Sequence, residues 1–334
     1  MVRRLPRPVV NQGGRRAGAD SVSNAPQDYP PLPENIRSVQ PGGGWCYEIE
    51  LAWGRLRRWY LKRFRPGFVR RMAARRHGSD AGAPHEILDP RDLKYCINQC
   101  TARWDEEDDP FAWRDRLPVV RWGLAELQLG GGPLLLLALV VGAPGPPWCY
   151  GALVPLALLA WWISFFRHPR RRTPREADAV VAPADGTVAD VTELDHYAFL
   201  DGPAVRIGIF LSIFNVHVNR APRAGRVVDM HYKPGEFLDA RSPDCTIRNE
   251  FMWIGFQDAD KAGLRLAVRQ ISGLLARRIV CALRPGQAVS RGEVFGMIKL
   301  GSRTELILPR DGVIVEVEVG QKVRAGSTVV ARIV

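Results

Sequence analysis

FGMIKLGSRTELILP, residues 295–309, is the stretch on which the reading of the C-terminal half turns. The runs VFGMIK and TELILP are short, apolar and rich in strand formers, and between them stands Gly301-Ser302, which is bend chemistry. A tight bend between two strands is therefore expected there. Glycine tolerates torsions that a larger residue resists, and it leaves its carbonyl unshielded beside the Ser302 hydroxyl, the geometry an acyl shift requires.

Outward from this bend the texture stays β. After Pro174, runs of Val, Ile and Leu are punctuated by Gly and Pro every 8 to 12 residues or so. PADGTVADV (183–191), PRAGRVVDM (222–230) and PRDGVIVEV (309–317) share the form Pro-x-x-Gly followed by alternation, and GQAVSRGEV (286–294) is echoed by GQKVRAGST (320–328). Repeats of this size imply copies of one small β unit burying a common core. The texture is similar to the barrel-sandwich folds of lipoyl and biotinyl carrier domains. The expected fold is a mainly β domain over 169–334 built from barrel-sandwich-like repeats, preceded by an α-helical membrane hairpin.

The hairpin is read from charge. No charged residue occurs between Leu127 and Phe166, and GAPGPPW at 142–148 interrupts the run. Two arms of about 16 to 19 residues sit at or just below the ~20 that span a bilayer, so a spanning and a re-entrant pair are both compatible with the pattern. The hairpin is placed at 121–168. Positive charge flanks both ends, with Arg167, Arg170, Arg171 and Arg172 following, so both ends, and the domain after them, are expected on the cytoplasmic side of the cell membrane.

The 334-residue chain carries a net charge of +12, concentrated in Arg55, Arg57, Arg58, Lys62, Arg63, Arg65, Arg70, Arg71, Arg75 and Arg76 and in the cluster after the hairpin. Both clusters adjoin apolar sequence, which points to an anionic membrane surface rather than to nucleic acid. Residues 45–120 are expected to form a helical, basic, membrane-proximal extension, with Trp53, Leu56, Tyr60 and Phe64 among the arginines. Residues 1–44, rich in Pro, Gly, Ser and Asn, are expected to be a disordered basic tail. Cys46, Cys96, Cys100, Cys149, Cys245 and Cys281 show no disulfide framework and read as reduced thiols; Cys96 and Cys100 lack partner histidines, so no metal site is expected.

Four segments carry a family resemblance: FFRHPRRRTP (165–174), VVAPADGTV (180–188), FLSIFNVHVNRAP (210–222) with HYKPGEFLDA (231–240), and FGMIKLGSRTELILP (295–309). Together they resemble the phosphatidylserine decarboxylases, in the shorter, membrane-hairpin branch with Gly-Ser-Arg at the cleavage site; the likeness covers roughly residues 120 to 334. The resemblance implies a proenzyme that cuts itself at Gly301-Ser302, leaving chains 1–301 and 302–334 as a heterodimer. It also implies that Ser302 becomes a covalent pyruvoyl group, the cofactor, which forms a Schiff base with phosphatidylserine and releases CO2 and phosphatidylethanolamine. Asp185, His217 and Ser302 are, by the same resemblance, the self-cleavage triad. Further self-association stays open, as does the role of Arg303.

The chemistry is consistent with those residue types. Loss of CO2 from an α-amino acid leaves a carbanion that no ordinary side chain delocalises, so an electron sink is needed. A serine hydroxyl needs a base, and His217, a polar residue between Val216 and Val218 in a strand-like alternation, is the candidate. Asp185, in Pro-Ala-Asp-Gly, is a candidate to orient that imidazole, although Asp-Gly is also plain turn chemistry. Asn219, Arg220 and Lys233 are candidates to hold the substrate phosphate. The competing reading is a non-enzymatic, membrane-anchored barrel-sandwich adaptor or carrier, for which Lys299 would be the modifiable lysine. It leaves FNVHVNRAP and the Gly-Ser bend unexplained.

Overall fold

In the computed structural model residues 29–274, 278–299 and 301–334 are described. The β half is two interlocked copies of one seven-stranded unit. The chain lays down β1 (Ala179–Val181), β2 (Gly186–Tyr197) and β3 (Gly202–Leu211). It then builds a whole second copy: β4 (Val218–Arg220), β5 (Gly225–Lys233), β6 (Phe251–Asp258), β7 (Arg265–Ser272), β8 (Arg278–Cys281), β9 (Ala288–Val289) and β10 (Val294–Lys299). Only afterwards does it complete the first copy with β11 (Ser302–Pro309), β12 (Val313–Val315), β13 (Lys322–Val323) and β14 (Val329–Ile333).

The sheet orders read the same from either end. One antiparallel sheet runs β13-β2-β3-β11-β7-β6-β5-β9, and two smaller ones run β1-β14-β12 and β4-β10-β8. Registers repeat as well. Gly186 and Thr187 pair with Val323 and Lys322 as Gly225 and Arg226 pair with Val289 and Ala288. The N–H groups of Val188 and Val227 donate to the carbonyls of Gln321 and Gln287, and those of Gly320 and Gly286 donate back to Val188 and Val227. In the small sheets Val181, Val180 and Ala179 face Val329, Ala331 and Arg332, while Arg220, Asn219 and Val218 face Val294, Gly296 and Met297, with a bulge at the corresponding step.

Two of the three Pro-x-x-Gly segments are thus equivalent, each leading into a strand that pairs with a Gly-Gln strand. The third, at 309–312, is not: it turns the corner from β11 into β12, which pairs with β14. A single copy would leave one apolar face open to water. Joined along β11 and β7, the copies bury Val188, Ile207, Ile209, Ile254, Phe256, Leu266 and Leu306 in one core, each such side chain contributing on the order of 1.5–3 kcal/mol.

The helices precede this domain. In α1 (Trp45–Phe64) and α2 (Pro66–Arg75), Pro66 occupies the first turn of the second helix, where its missing N–H costs nothing. The expected helical extension stops there. Pro84, Pro90, Pro110 and Pro118 break up residues 76–120 into loops and short 3-10 turns around a small core of Ile87, Leu93, Cys96, Cys100 and Ala102. Disorder to residue 44 does not hold for residues 29–44: Ile36 and Val39 are buried, and Val39 bridges Tyr95 and Cys281 through backbone hydrogen bonds. The expectation for residues 1–28 lies outside the described residues.

The apolar pair α3 (Leu124–Gly142) and α4 (Leu153–Phe165) packs together, Trp162 lying on Gly130 and its Nε1 donating to the Glu126 carbonyl at 2.9 Å. By length and composition both helical stretches, 121–142 and 148–165, can cross a membrane. Leu136, Leu139, Val140, Leu153 and Val154 are each more than 60 % exposed, an apolar surface suited to lipid. This hairpin associates the chain with a membrane. Its far end turns inward: Phe165 and Phe166 are buried against Val216, Val218 and Met297 of the β domain.

Candidate active site

Gly301 and Ser302 stand where copy one receives copy two. In copy two, β6 and β7 are joined by a short turn that ends at Gly263, with φ +84°, followed by Leu264; the Asp258 N–H donates to the Leu264 carbonyl. In copy one the corresponding strands, β3 and β11, are separated by the entire second copy. The return is made through Gly301, with φ +69°, into Ser302, which pairs with Leu211 on one side and Ser272 on the other. The expected bend is present, and β10 and β11 on either side of it belong to different sheets.

Ser302 is fully buried, and among the described residues its Oγ has no hydrogen-bond partner. A buried hydroxyl without a partner is costly, and such a group calls for an explanation, a role in chemistry being one. Across from it, a Cβ on Gly273 would stand 2.7 Å from the Gly301 carbonyl oxygen, so glycine at 273 is what lets two backbones approach beside the Gly301-Ser302 bond.

His217 sits one residue before β4. Its Nε2 accepts the Gly301 N–H at 3.1 Å, and its Nδ1 lies 3.0 Å from the Asn215 carbonyl. A carbonyl can only accept, so the proton belongs on Nδ1 and the Nε2 lone pair faces the Gly301 bend. Asn215 is fixed in turn, its Oδ1 accepting from the Ser212 N–H and hydroxyl at 2.8 Å. Phe165 covers the imidazole, ring centroids 4.4 Å apart. Burial, with the nearby Arg167 charge adding to it, pushes the His217 pKa down to about 4, so the ring is neutral near pH 7.

Asp185 does not share a hydrogen bond with His217. Its Oδ2 takes Arg171 at 2.6 Å and its Oδ1 takes the Ala325 N–H at 2.8 Å; burial raises its pKa despite these partners. The orienting contact on the imidazole is Asn215, a main-chain group that no residue-type pattern reveals. The Phe165 cover was equally hidden, although it falls inside the FFRHPRRRTP segment.

Asn219 is fully buried, its amide nitrogen donating to Thr304 Oγ1 at 3.1 Å and its oxygen accepting from Gln270 at 2.9 Å, which places it in the wall behind the bend. Arg220 is spent on the carbonyls of Gly292 and Pro169. Lys233 is exposed, at the end of β5, bonded to the Ile247 carbonyl at 3.3 Å. Arg303 crosses over Gly208, where a side chain would collide with it, to pair with Asp190 at 2.5 Å and with Glu305 at 3.0 Å. Lys299 is buried and ion-paired with Glu126 of α3, so it is no exposed carrier lysine. All six cysteines are free, and Cys96 and Cys100 lie in the N-terminal core; among the described residues no group of three ligands could hold a metal.

The model of the phosphatidylserine decarboxylase family matches residues 158–331. Among curated proteins, the phosphatidylserine decarboxylase proenzyme of Rhodopirellula baltica is 47% identical over 241 residues, 72% of this chain and 98% of its own. The proenzyme of Carboxydothermus hydrogenoformans is 45% identical over 181 residues (54% and 84%), and that of Trichlorobacter lovleyi 42% over 207 (62% and 89%). The anchored carrier or adaptor reading is thereby set aside, and with 47% identity over 72% of its length added to the site at Gly301-Ser302, the chain belongs to the phosphatidylserine decarboxylase family.

Proposed function

We propose that this chain is a precursor that cuts itself between Gly301 and Ser302 and then, at a membrane, converts phosphatidylserine to phosphatidylethanolamine and CO2. The observation that carries this reading is the partnerless, buried Ser302 hydroxyl beside a left-handed glycine whose N–H rests on His217 Nε2.

In the cleavage, the imidazole passes from the Gly301 N–H to the Ser302 hydroxyl, and Nε2 becomes the acceptor of the hydroxyl proton. Oγ attacks the Gly301 carbonyl carbon, and the C–N bond to Ser302 breaks as that nitrogen takes the proton back from Nε2. An imidazolium in so apolar a pocket is a strong acid, which suits this second transfer. Elimination across Cα and Cβ of the resulting ester frees the Gly301 carboxylate, and hydrolysis of the dehydrated residue releases ammonia and leaves a ketone at residue 302.

The site fits the pyruvoyl group, since the serine that would form it is buried, unbonded and next to the one carbonyl it must reach. That group supplies the electron sink that decarboxylation of an amino acid requires. Around it the chain's residues exclude water through Phe165 and Leu211 and offer His217 Nε2 as the atom that takes up a proton and passes it on. Asp185 enters with its carboxylate on Arg171, so its part in the triad is to hold the 324–326 turn and that arginine beside the site. Lys233, the exposed cation of the three candidates, is the one able to meet a headgroup; Asn219 and Arg220 support the wall.

The two products stay together. Residues 302–334 contribute β11 to the centre of the large sheet and β12–β14 to the first copy, so cleavage leaves a heterodimer with an uncut hydrogen-bond network. We read the paired units as barrel-sandwich-like repeats, residues 121–168 as the membrane hairpin and 169–334 as the catalytic domain. With basic residues at both ends of the hairpin, that domain lies on the cytoplasmic side. Ser302→Ala tests the reading: the variant runs as one uncut chain on denaturing electrophoresis and releases no CO2 from phosphatidylserine, and release of CO2 by it would refute the mechanism.

A further inference from the structure

The arginine run of the N-terminal extension is not one surface. Arg55, Arg65, Arg70 and Arg71 point to water, while Arg57 and Arg58 turn inward, 13 % and 14 % exposed, to share Asp92. They line a cavity of about 550 Å³ together with Arg91, Arg114 and Arg121, closed on one side by Leu124, Ala125 and Gln128 at the root of α3. No residue of the Gly301-Ser302 site takes part in its lining.

Five guanidiniums meet here over few counter-charges. Asp92 serves Arg57 and Arg58, Asp89 serves Arg91, and Asp115, largely exposed, is 3.9 Å from Arg121. Glu50, which also faces the cavity, is taken by Lys94 and Tyr95. Two donors are left over: the Nε groups of Arg57 and Arg121 are buried without an acceptor among the described residues. Arg114 has neither a carboxylate nor a carbonyl partner among the described residues and rests only against the Phe111 and Trp113 rings. Burial and the neighbouring Arg121 and Arg91 charges push its pKa down, the mark of a cation crowded by cations.

Guanidiniums clustered around one cavity with donors unused call for an oxyanion with several acceptor oxygens, and phosphate is the group their planar forks match best. The rim indicates where that phosphate resides. Trp53 and Trp113, both lining the cavity, are 62 % and 55 % exposed, and tryptophan at the foot of an apolar helix is the usual residue of the headgroup layer. We infer that the cavity between α1, the 111–121 segment and the root of α3 is a phosphate-binding site, separate from the decarboxylation centre, that takes a phosphate at the membrane interface.

The test needs no turnover. The full chain in uncharged detergent micelles is dialysed, at fixed ionic strength, against inorganic phosphate and separately against dihexanoyl phosphatidylglycerol. One saturable site per chain is expected, weakened by about tenfold or more in Arg114→Gln, the loss of a charge-assisted contact. Arg70→Gln, which removes the same charge from the exposed face of α2, should change affinity by less than about twofold. Because Arg114 has no ion pair to lose, its variant should melt with the native protein; Arg121→Gln gives an independent second reading. Saturation by inorganic phosphate identifies free phosphate as a ligand, and saturation by the lipid alone identifies a headgroup. Absence of saturable binding of both probes, or equal losses in Arg114→Gln and Arg70→Gln, would overturn the inference.

Discussion

Gly301-Ser302 and Gly263-Leu264 are the same bend made twice. Both glycines are left-handed, and both introduce a central strand of the large sheet, β11 in one copy and β7 in the other. What surrounds them differs. The Ile298 N–H donates to the carbonyl of His217 in one copy, and the Ile333 N–H donates to that of Asp178 in the other. At the place of the buried imidazole the second bend therefore has a carboxylate, which is bound to Arg332 at 3.0 Å. Leu264 offers no nucleophile. A left-handed glycine is thus common to both bends; under the proposed mechanism the Gly301 bend is set apart by the hydroxyl and the neutral imidazole added to it.

The comparison breaks most visibly at His217. His217→Ala should slow the appearance of the 302–334 fragment by about 10²- to 10⁴-fold, the usual worth of a positioned acid–base group. Fragment formation at the native rate on a denaturing gel would show that the glycine geometry suffices after all.

A second effect follows from the burial of the same ring. With its pKa at about 4, His217 stays an available base from neutral pH down to that value, and cleavage should then fall roughly tenfold per pH unit below it. The stability consequence has the same sign. Unfolded, the ring binds a proton near pH 6.5, so its contribution is complete above that pH and is lost as the pH drops from 6.5 toward 4. A rate profile that instead turned down near 6.5 would mean an exposed, ordinary histidine.

Smaller still is the contribution of the membrane arm. Lys299, two residues before Gly301, is ion-paired with Glu126 of α3, and Phe165 at the end of α4 lies on His217, so the hairpin touches the surroundings of the Gly301 bend at two points, and among the described residues the Gly263 bend has none of these partners. Lys299→Met leaves Glu126 uncompensated and should lower stability by about 3 kcal/mol, read as a drop in melting temperature. The least effect is expected from Leu264→Ser. It creates a second left-handed Gly-Ser, and intact mass should show no cut at 263; a cut there would make the base dispensable.

Much of this was legible beforehand, for identifiable reasons. Local turn chemistry gave the Gly301 bend, the charge-free run from Leu127 to Phe166 gave the hairpin, and the Gly-Gln and Pro-x-x-Gly echoes gave a repeat. The interlock of the copies was not legible, because inserting one unit between β3 and β11 separates partners such as Leu211 and Ser302 by a whole domain's length, which no local pattern reports. Nor was the orienting group on His217, since a main-chain carbonyl has no residue type. Asp185 illustrates the opposite case: its sequence context suggested a side-chain partner for the imidazole, and its carboxylate is engaged by Arg171 and Ala325. Residues 29–44 misled through composition, since this polar stretch buries Ile36 and Val39 and its polar side chains Asn35 and Gln40 bond to Tyr232 and Lys299.

The central claim is that one of two equivalent bends converts its own residue into a ketone. Intact-mass measurement of the purified, active protein tests it most directly. Two chains are expected, the shorter beginning at position 302 and lighter by one ammonia than a peptide with an N-terminal serine there. A single continuous chain in active material, or a fragment that begins with unaltered serine, would contradict the account.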